Sequence, residues 1–298
     1  MLPMSDIVFN NITVEHGEDS GLFHLSFSVS PGESYAVLAP TGAGKSTIAS
    51  LLMGLTIPDE GSCAVRGHDC FSDHAQVKSL VGFMPGNPYL PPKADGEAFL
   101  KMLSSWHGGA SEDKIRQVME KLDINPLGTF GRMTALNKSK IAILFGLMYD
   151  SPILVLDEPY MGLDAFARDA LTELLLEEKA EGKTILLLTH VLQQAQKLCD
   201  RIAIMRKGRL VVEQQSEQLQ FSRQKVYHIT FDTAKEASRF SQEWETAVEL
   251  IGERAIVAVP ASPMALIKTL SNYAIKDFIG GRDEGEEAFL RYYGDDTL

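Results

Sequence analysis

The sequence has no hydrophobic run long enough to cross a membrane. Its longest apolar stretch, Ile141 to Met148, has eight residues, whereas a helix that spans a bilayer needs about 20. We therefore expect no membrane-spanning helix, and any membrane role requires a partner that supplies the span. With 298 residues and 45% hydrophobic content, the chain is long enough for one large globular domain and a small one.

Cysteine and positive charge are also scarce. Cys63, Cys70 and Cys199 form an odd, scattered set, which predicts reduced thiols of a cytoplasmic protein. A metal site built on Cys63, His68 and Cys70 would fit no zinc spacing. Lys and Arg number 28 against 40 Asp and Glu, the formal net charge is −12, and no Lys or Arg precedes Lys45. The lack of early positive charge argues against a secretory signal and against a basic arm that binds nucleic acid. We therefore expect no nucleic-acid partner.

The strongest motif in the chain is the nine-residue stretch from Ala39 to Thr47. It follows an apolar, strand-like run, Tyr35 to Leu38, and leads into a helical run, Ile48 to Met53. A strand, a glycine-rich turn and a helix in this order are typical of a phosphate-binding loop, in which backbone N–H groups cradle phosphate oxygens. The predicted nucleotide-binding residues of this loop are Thr41, Gly42, Ala43, Gly44, Lys45, Ser46 and Thr47.

Each residue type in this loop has an expected task. Lys45 is expected to reach the β- and γ-phosphates of ATP, and the Ser46 hydroxyl is expected to hold Mg²⁺. Gly42 and Gly44 can adopt the backbone angles that turn N–H groups inward. Ala39 stands where the motif usually has its first glycine, and because alanine is the smallest replacement we expect the loop to close. The alternative interpretation is a chance glycine turn.

A second motif combines two carboxylates with a buried strand. Asp157 and Glu158 directly follow the apolar run Ile153 to Leu156, and the carboxyl ends of such strands are where ligands bind in open α/β sheets. We expect Asp157 to bind Mg²⁺, directly or through water, and Glu158 to polarise the attacking water. The alternative is a solvated acidic turn, which the upstream phosphate loop disfavours.

Apolar spacing predicts an α/β fold. Apolar and polar residues alternate from Ile7 to Val29, which predicts two or three antiparallel strands. Val81 to Pro85, Ile153 to Leu156 and Thr184 to Leu188 are short strand-like runs separated by helical segments, which predicts a mostly parallel sheet covered by helices. Helical spacing from Asp95 to Met148 predicts a helical insertion between two strands of this sheet.

The pattern changes near residue 221, which predicts a small α+β appendage. We therefore predict two domains: residues 1–220, with a helical insertion at about 87–150, and residues 221–298. The elements predicted in the appendage are strands at Val226 to Phe231, Ile256 to Val259 and Ile275 to Ile279, and helices at Ala234 to Trp244, Pro263 to Leu270 and Glu286 to Tyr293.

The chain resembles the ATPases of the ABC family over the stretch from about Ile7 to Val212. Beyond the phosphate loop and the two acids, Met161 to Asp164 resembles the D-loop of that family, and Leu188 to His190 resembles its switch histidine. The resemblance implies that His190 contacts the γ-phosphate and that Asp164 acts across a dimer interface. His16 stands where the family usually has an adenine-stacking aromatic residue, and an ordinary turn histidine is the alternative.

Two positions depart from the family pattern. Gly86 replaces a glutamine where a strand meets the helical insertion. The family signature, Leu-Ser-Gly-Gly-Gln, aligns with the segment from Met133 to Asn137. Thr134 keeps a hydroxyl there, but Leu136 replaces a glycine whose backbone should approach the γ-phosphate on the opposite subunit, so we expect its side chain to obstruct that approach.

The segment from Gly285 to Gly294 resembles the C-terminal end of ATPases that serve drug, bacteriocin and peptide exporters. The family resemblance implies an ATP-hydrolysing subunit that uses ATP and Mg²⁺, pairs with a second ABC ATPase chain, and powers a separate multi-span permease at the inner face of the cell membrane. Two alternatives stay open: a regulatory subunit that binds ATP but hardly hydrolyses it, and a soluble ABC ATPase outside transport.

Overall fold

The computed structural model describes residues 5–17, 20–105, 110–216, 224–244, 248–260 and 263–280. The chain divides into two compact units, Met1–Ser216 and Glu217–Leu298. The assignment of residues 1–220 to nucleotide chemistry and of residues 221–298 to an accessory role stays a prediction.

Two sheets and several helices make up the first unit. Its described strands are β1 (Ile7–Gly17), β2 (Ser20–Val29), β3 (Ser34–Leu38), β4 (Glu60–Val65), β5 (His68–Asp69), β6 (Val81–Met84), β7 (Ile153–Asp157), β8 (Thr184–Thr189), β9 (Arg201–Arg206) and β10 (Arg209–Gln215). Its described α-helices are α1 (Lys45–Leu52), α2 (His74–Leu80), α3 (Gly96–Ser104), α4 (Glu112–Leu122), α5 (Ala135–Leu147), α6 (Ala165–Ala180) and α7 (Leu192–Leu198).

The larger sheet has six strands in the order β10-β9-β3-β8-β7-β6. From β9 to β6 all neighbours are parallel, and β10 pairs with β9 as an antiparallel hairpin. Every residue of β3, β7 and β8 is buried, as expected of parallel strands covered on both faces. Strands that are far apart in the sequence, such as β3 and β8, are neighbours in this sheet. Widely separated parts of the chain therefore meet at the edge formed by the carboxyl ends of the strands.

The smaller sheet has the order β2-β1-β4-β5 and is antiparallel throughout. Its inner face packs on the larger sheet through stacked aromatic rings. The ring of Phe27 lies 4.6 Å from that of Phe9 and 5.2 Å from that of Tyr35, between ring centroids. These side chains belong to one core cluster with the apolar residues of α1. The core therefore anchors the helix that follows the phosphate loop.

Helices α3 to α5 form the predicted insertion between β6 and β7. Each begins with a capping side chain: Asp95, Ser111 and Thr134 accept a hydrogen bond from a backbone N–H in the first turn of the helix. Such caps contribute about 1 kcal/mol each. Ion pairs from α4 to α6 join the insertion to the rest of the unit, namely Lys114 with Glu178 and Lys121 with Glu177.

The predicted fold class is confirmed, while several elements differ from the sequence predictions. Helix α1 begins at Lys45 rather than Ile48, because Gly44 takes a left-handed φ of 105° that starts the helix within the loop. The short helices α2 and α7 and the two-residue strand β5 were not predicted. In each case the element has seven residues or fewer, too few to give a periodic signal.

The second unit has the order β-α-β-β-α-β, a split β-α-β arrangement. Its elements are β11 (Gln224–Phe231), α8 (Ala234–Glu243), β12 (Val248–Ile251), β13 (Arg254–Pro260), α9 (Met264–Leu270) and β14 (Ile275–Ile279). The strands lie in the order β12-β13-β11-β14 with every pair antiparallel. Strand β12 was not predicted. The helix predicted from Glu286 to Tyr293 and the exporter-like segment lie outside the described residues.

A hydrophobic core of its own holds the second unit together. Phe231, Phe240 and Tyr273 are buried with their rings 5.2 to 5.7 Å apart, between centroids. Across all the described ranges of both units, no helix combines the length and apolar character that a membrane span requires.

Candidate nucleotide site

The parallel sheet brings three strand ends to one edge. Leu38 at the end of β3 pairs with Thr189 of β8, and Leu188 of β8 pairs with Asp157 at the end of β7. The phosphate loop follows β3, Glu158 follows β7 and His190 follows β8, so the topology places three segments from distant parts of the chain beside one another. This is the edge at which open α/β sheets bind ligands.

The phosphate loop closes with alanine in its first position. Ala39 is fully buried, and its N–H donates to the Thr189 carbonyl over 3.0 Å. Gly42 and Gly44 have φ angles of 83° and 105°, which favour glycine. A Cβ at Gly44 would also lie 2.6 Å from Leu22 Cδ2. The expected loop is thus formed, with the backbone angle favouring glycine at both positions and Leu22 limiting the space at Gly44.

Lys45 joins the loop to Glu158, the predicted catalytic carboxylate. Its Nζ donates to the carbonyls of Ala39 and Pro40 over 2.6 and 2.9 Å and lies 3.0 Å from Glu158 Oε1. The other oxygen of Glu158, Oε2, lies 2.8 Å from His190 Nδ1. Lys45 is 6% exposed and the Glu158 side chain 12%, so this contact is largely shielded from water and stronger than a surface ion pair.

The backbone of Glu158 is itself unusual. Its φ is 49°, in the left-handed region, which costs a non-glycine residue about 1 kcal/mol. Its N–H donates to the Leu188 carbonyl over 2.8 Å, and its own carbonyl accepts from Met161. These bonds hold the strained residue at the end of β7, where its carboxylate reaches both Lys45 and His190. Strain of this kind clusters at functional sites.

Ser46 and Asp157 form a second contact beside the first. Ser46 Oγ donates to Asp157 Oδ2 over 2.6 Å. Burial raises the pKa of Asp157, while the hydrogen bond from Ser46 and the positive charge of Lys45 act in the opposite direction. Asp157 Oδ1 is buried and, among the described residues, accepts no hydrogen bond. Mg²⁺ prefers hard oxygen ligands. The Ser46 hydroxyl and the buried Asp157 Oδ1, which lacks a hydrogen-bond donor, are ligands of this kind, so these residues fit the metal.

The remaining predicted residues surround this cluster in different ways. His16 Nε2 lies 3.3 Å from Thr47 Oγ1, so the tip of β1 lies against the start of α1. Asp164 caps α6, because its Oδ1 accepts from the Ala167 N–H over 2.8 Å, and its side chain is exposed. Thr41 is exposed and Ala43 is half-buried. The structure therefore joins Lys45, Ser46, Asp157, Glu158 and His190 through direct contacts, with His16 at the margin.

The signature-like segment lies at the start of α5. Thr134 Oγ1 accepts from the Asn137 N–H over 3.1 Å. The Asn137 amide in turn donates to the Asn125 carbonyl and accepts from the Asn125 N–H, at 2.6 and 3.2 Å. Leu136 is half-buried in the first turn of the helix. The polar groups of this segment therefore have partners within the insertion.

One contact of the site was missed by the sequence interpretation. Gly86 was noted only for its missing glutamine side chain, whereas the structure places it directly against Asp157, because a Cβ on Gly86 would lie 3.0 Å from Asp157 Oδ2. The sequence signal, a glycine after a short strand, indicates a turn but says nothing about which neighbouring strand the turn contacts. That contact depends on β6 lying beside β7 in the sheet.

Comparisons with known proteins identify the family. A family model described as ABC transporter matches residues 22–161. The Nod factor export ATP-binding protein I of Burkholderia lata is 33% identical over 217 residues, which is 71% of each chain. The protein of the same name from Rhizobium etli is 32% identical over 216 residues, 70% of this chain and 68% of that one. The chain belongs to the ABC transporter family.

Solved structures agree with this assignment. The ATP-binding subunit of an ABC transporter is 25% identical with a TM-score of 0.64, covering 72% of this chain and 91% of that one. A dimeric ATP-binding cassette in a post-hydrolysis state, bound to ADP and Pi, is 20% identical with a TM-score of 0.60, covering 70% and 98%, and supports the fold. The predicted family, fold and ATPase activity are confirmed: this ABC protein is an ATP-binding, ATP-hydrolysing subunit of a transporter.

Proposed function

We propose that this ABC ATPase binds MgATP at the edge formed by β3, β7 and β8, and that Glu158 activates the water that attacks the γ-phosphate. The observation that carries the proposal is the direct contact of Glu158 with both Lys45 and His190. A lysine, a carboxylate and a histidine held within hydrogen-bond distance at a strand edge are suited to phosphoryl transfer to water, in which positioning and charge stabilisation dominate.

Each side chain has a separate task in this proposal. Lys45 Nζ would exchange the carbonyls of the loop for β- and γ-phosphate oxygens and neutralise their charge. His190 would orient the Glu158 carboxylate through its Nδ1 contact and reach the γ-phosphate with its other nitrogen. Glu158 would take the proton from water as general base. Mg²⁺, held by Ser46 and Asp157, would neutralise charge on the phosphate oxygens.

The nucleotide would be held further by the loop and its surroundings. The backbone N–H groups from Thr41 to Thr47 are suited to cradle the phosphates. His16, at the end of β1, would stack on the adenine. Asp164, at the start of α6, would act across the interface with a second ATPase chain. These roles rest on the family resemblance and on the closeness of His16 to the loop.

We further propose that the chain works with a separate permease and a second ABC ATPase, for export. The relatives named above are export ATP-binding proteins, and a similar cassette is dimeric. The permease would hold the chain at the inner face of the membrane. The start of α5 favours a different chain as the ATPase partner, because Leu136 replaces the signature glycine and its neighbours are bonded within the insertion.

A regulatory role with little hydrolysis is the second candidate. Two observations favour it: the bulk of Leu136 in the signature-like segment, and Gly86, which has no side chain to sense Mg²⁺ or water. ATP turnover by the assembled complex separates the two, because a regulatory subunit would leave turnover unchanged when Glu158 is replaced.

The first experiment tests nucleotide binding by calorimetry with MgATP. Lys45→Ala removes the cation that neutralises the phosphates, and we expect at least about a tenfold loss of affinity, equal to about 1.4 kcal/mol. Lys101→Ala is the matched control, because Lys101 is exposed on α3. Undiminished binding by Lys45→Ala would refute the proposed site, and an equal loss in Lys101→Ala would point to a general charge effect.

A further inference from the structure

The imidazole of His190 is only partly enclosed by the protein. Its Nδ1 lies 2.8 Å from Glu158 Oε2, but the side chain is 49% exposed. A side chain is held in one orientation by packing and by hydrogen bonds from the groups that support it. Because packing covers only part of this ring, its direction depends strongly on the backbone around residue 190.

Thr189 fixes that backbone through its hydroxyl. It is the last residue of β8 and is fully buried. Its Oγ1 accepts a hydrogen bond from the Val191 N–H over 3.2 Å. A threonine hydroxyl that bonds to the backbone two residues further on closes a local turn. One side chain therefore bridges the two residues that flank His190.

Gln194 holds the same hydroxyl from helix α7. Thr189 Oγ1 donates to Gln194 Oε1 over 3.0 Å. A hydroxyl has a single proton, which rotates toward an acceptor and leaves the lone pairs for donors. The bond to Gln194 thus directs a lone pair of Thr189 Oγ1 toward the Val191 N–H. Gln194 is half-buried in the first turn of α7.

The backbone of Thr189 makes a separate contact with the phosphate loop. Its carbonyl accepts from the Ala39 N–H over 3.0 Å. This bond does not involve the side chain of Thr189, so a valine at position 189 would keep it. Removal of the hydroxyl should therefore affect the residues that flank His190 and leave the phosphate loop in place.

We propose that Thr189 and Gln194 are positioning residues, which aim the His190 imidazole at Glu158 through two linked hydrogen bonds. This inference rests on the proposed function. Gln194 holds the Thr189 hydroxyl, and the hydroxyl holds the backbone after His190. Loss of either side chain would let the ring turn away from Glu158, which slows the chemical step and leaves nucleotide binding intact.

The first measurement is nitrogen NMR of the histidine rings in the full-length chain. The His190 signal is identified by its loss in His190→Ala. Because Nδ1 faces a carboxylate, the unaltered chain should show a proton on Nδ1 of the neutral ring. Thr189→Val and Gln194→Ala should shift this signal toward the average of the two neutral forms. Thr189→Ser keeps the hydroxyl and should preserve the signal.

Gln193→Ala is the matched control for Gln194→Ala. Gln193 is the preceding residue of α7 and is exposed, so its removal should leave the His190 signal unchanged. Gln194→Ala also keeps the test valid if Thr189→Val folds poorly, because it alters a half-buried side chain. An unchanged His190 signal in Gln194→Ala, or an equal shift in Gln193→Ala, would overturn the proposal.

ATP turnover by the assembled complex tests the consequence for the reaction. Displacement of a reacting group by about 1 Å can lower a rate about 100-fold. We expect Thr189→Val to lower kcat about tenfold, with KM for ATP within about twofold, and Thr189→Ser to restore most of the loss.

A double-mutant cycle separates positioning from a general structural effect. In the His190→Ala background, Thr189→Val should cause little further loss of turnover, because it acts through the ring that is already absent. An equal loss in both backgrounds would contradict the positioning role. Failure of the proposed function gives a different result, because His190→Ala alone would then leave turnover unchanged.

Discussion

The strand ends that carry the phosphate loop and the start of α5 satisfy their polar groups in opposite ways. At the strand ends, Lys45, Glu158 and His190 from three distant segments contact one another. At the start of α5, Thr134 caps its own helix and Asn137 bonds to Asn125 within the same insertion. The strand ends bring together charged side chains from distant segments. The start of α5 forms hydrogen bonds within its own insertion.

Of these two regions, the strand ends retain strain. Burial raises the pKa of Asp157, and Glu158 has a left-handed φ, so the strand ends carry groups that oppose folding. The start of α5 has an N-cap that stabilises the helix by about 1 kcal/mol. Strained, buried charge is retained where chemistry needs it. This contrast favours the proposed arrangement in which this chain supplies the reacting groups and a partner chain supplies the signature.

Glu158→Gln should remove the proposed reacting carboxylate from the strand ends. The amide keeps the shape of the side chain and loses the charge that accepts a proton from water, so we expect ATP turnover by the assembled complex to fall at least about 100-fold. ATP binding should be retained, with more ATP-bound dimer in size-exclusion chromatography. Glu173→Gln, at an exposed position on α6, is the control. Full turnover in Glu158→Gln would show that the reacting groups lie elsewhere.

Leu136→Gly tests the signature-like segment at the start of α5. Removing the branched side chain opens the start of α5 to a phosphate on the partner, so we expect turnover at the partner's site to rise several-fold, or about 1 kcal/mol. Leu136→Met keeps the bulk and should give no gain. The measurement is ATP turnover of the complex whose partner chain carries the only intact catalytic acid. Strong cooperative hydrolysis by the unaltered chain alone would contradict the asymmetric arrangement.

The sequence alone predicted the strands of the site better than the contacts between their side chains. The strands that end at Leu38, Asp157 and Thr189 were predicted nearly to the residue, because continuous apolar runs bounded by glycine or acidic residues leave few alternatives. The contact of Lys45 with Glu158 was not predicted, because it depends on β3 and β7 flanking β8. The close approach of Gly86 to Asp157 was missed because it depends on β6 lying beside β7.

Asp157→Asn tests whether burial of the Asp157 carboxylate opposes folding. Because burial raises the pKa of this carboxyl above its usual 3.8, the folded chain holds the proton more tightly than the unfolded chain does. This group therefore loses stabilising effect as pH rises from about 3.8 through its folded pKa. Asparagine has no charge, so we expect a higher thermal midpoint at pH 7 without nucleotide, and a smaller gain near pH 4.

The control for this prediction is Asp169→Asn, at an exposed position on α6. It changes the same charge away from the site, so any gain it shares with Asp157→Asn reflects net charge. A lower midpoint in Asp157→Asn at pH 7 would mean that the Ser46 hydrogen bond and the nearby charge of Lys45 outweigh the penalty of burying the carboxylate.

Removing the second unit should change MgATP affinity very little. Both regions of the comparison lie within Met1–Ser216, and every described contact of Lys45, Asp157 and His190 given above is made inside that unit. The second unit has its own core, so cutting the chain after Ser216 should leave the first unit folded. Its MgATP affinity should then stay within about twofold of the full chain, less than 0.5 kcal/mol. A folded, truncated chain that bound no ATP would show that residues beyond 216 complete the site.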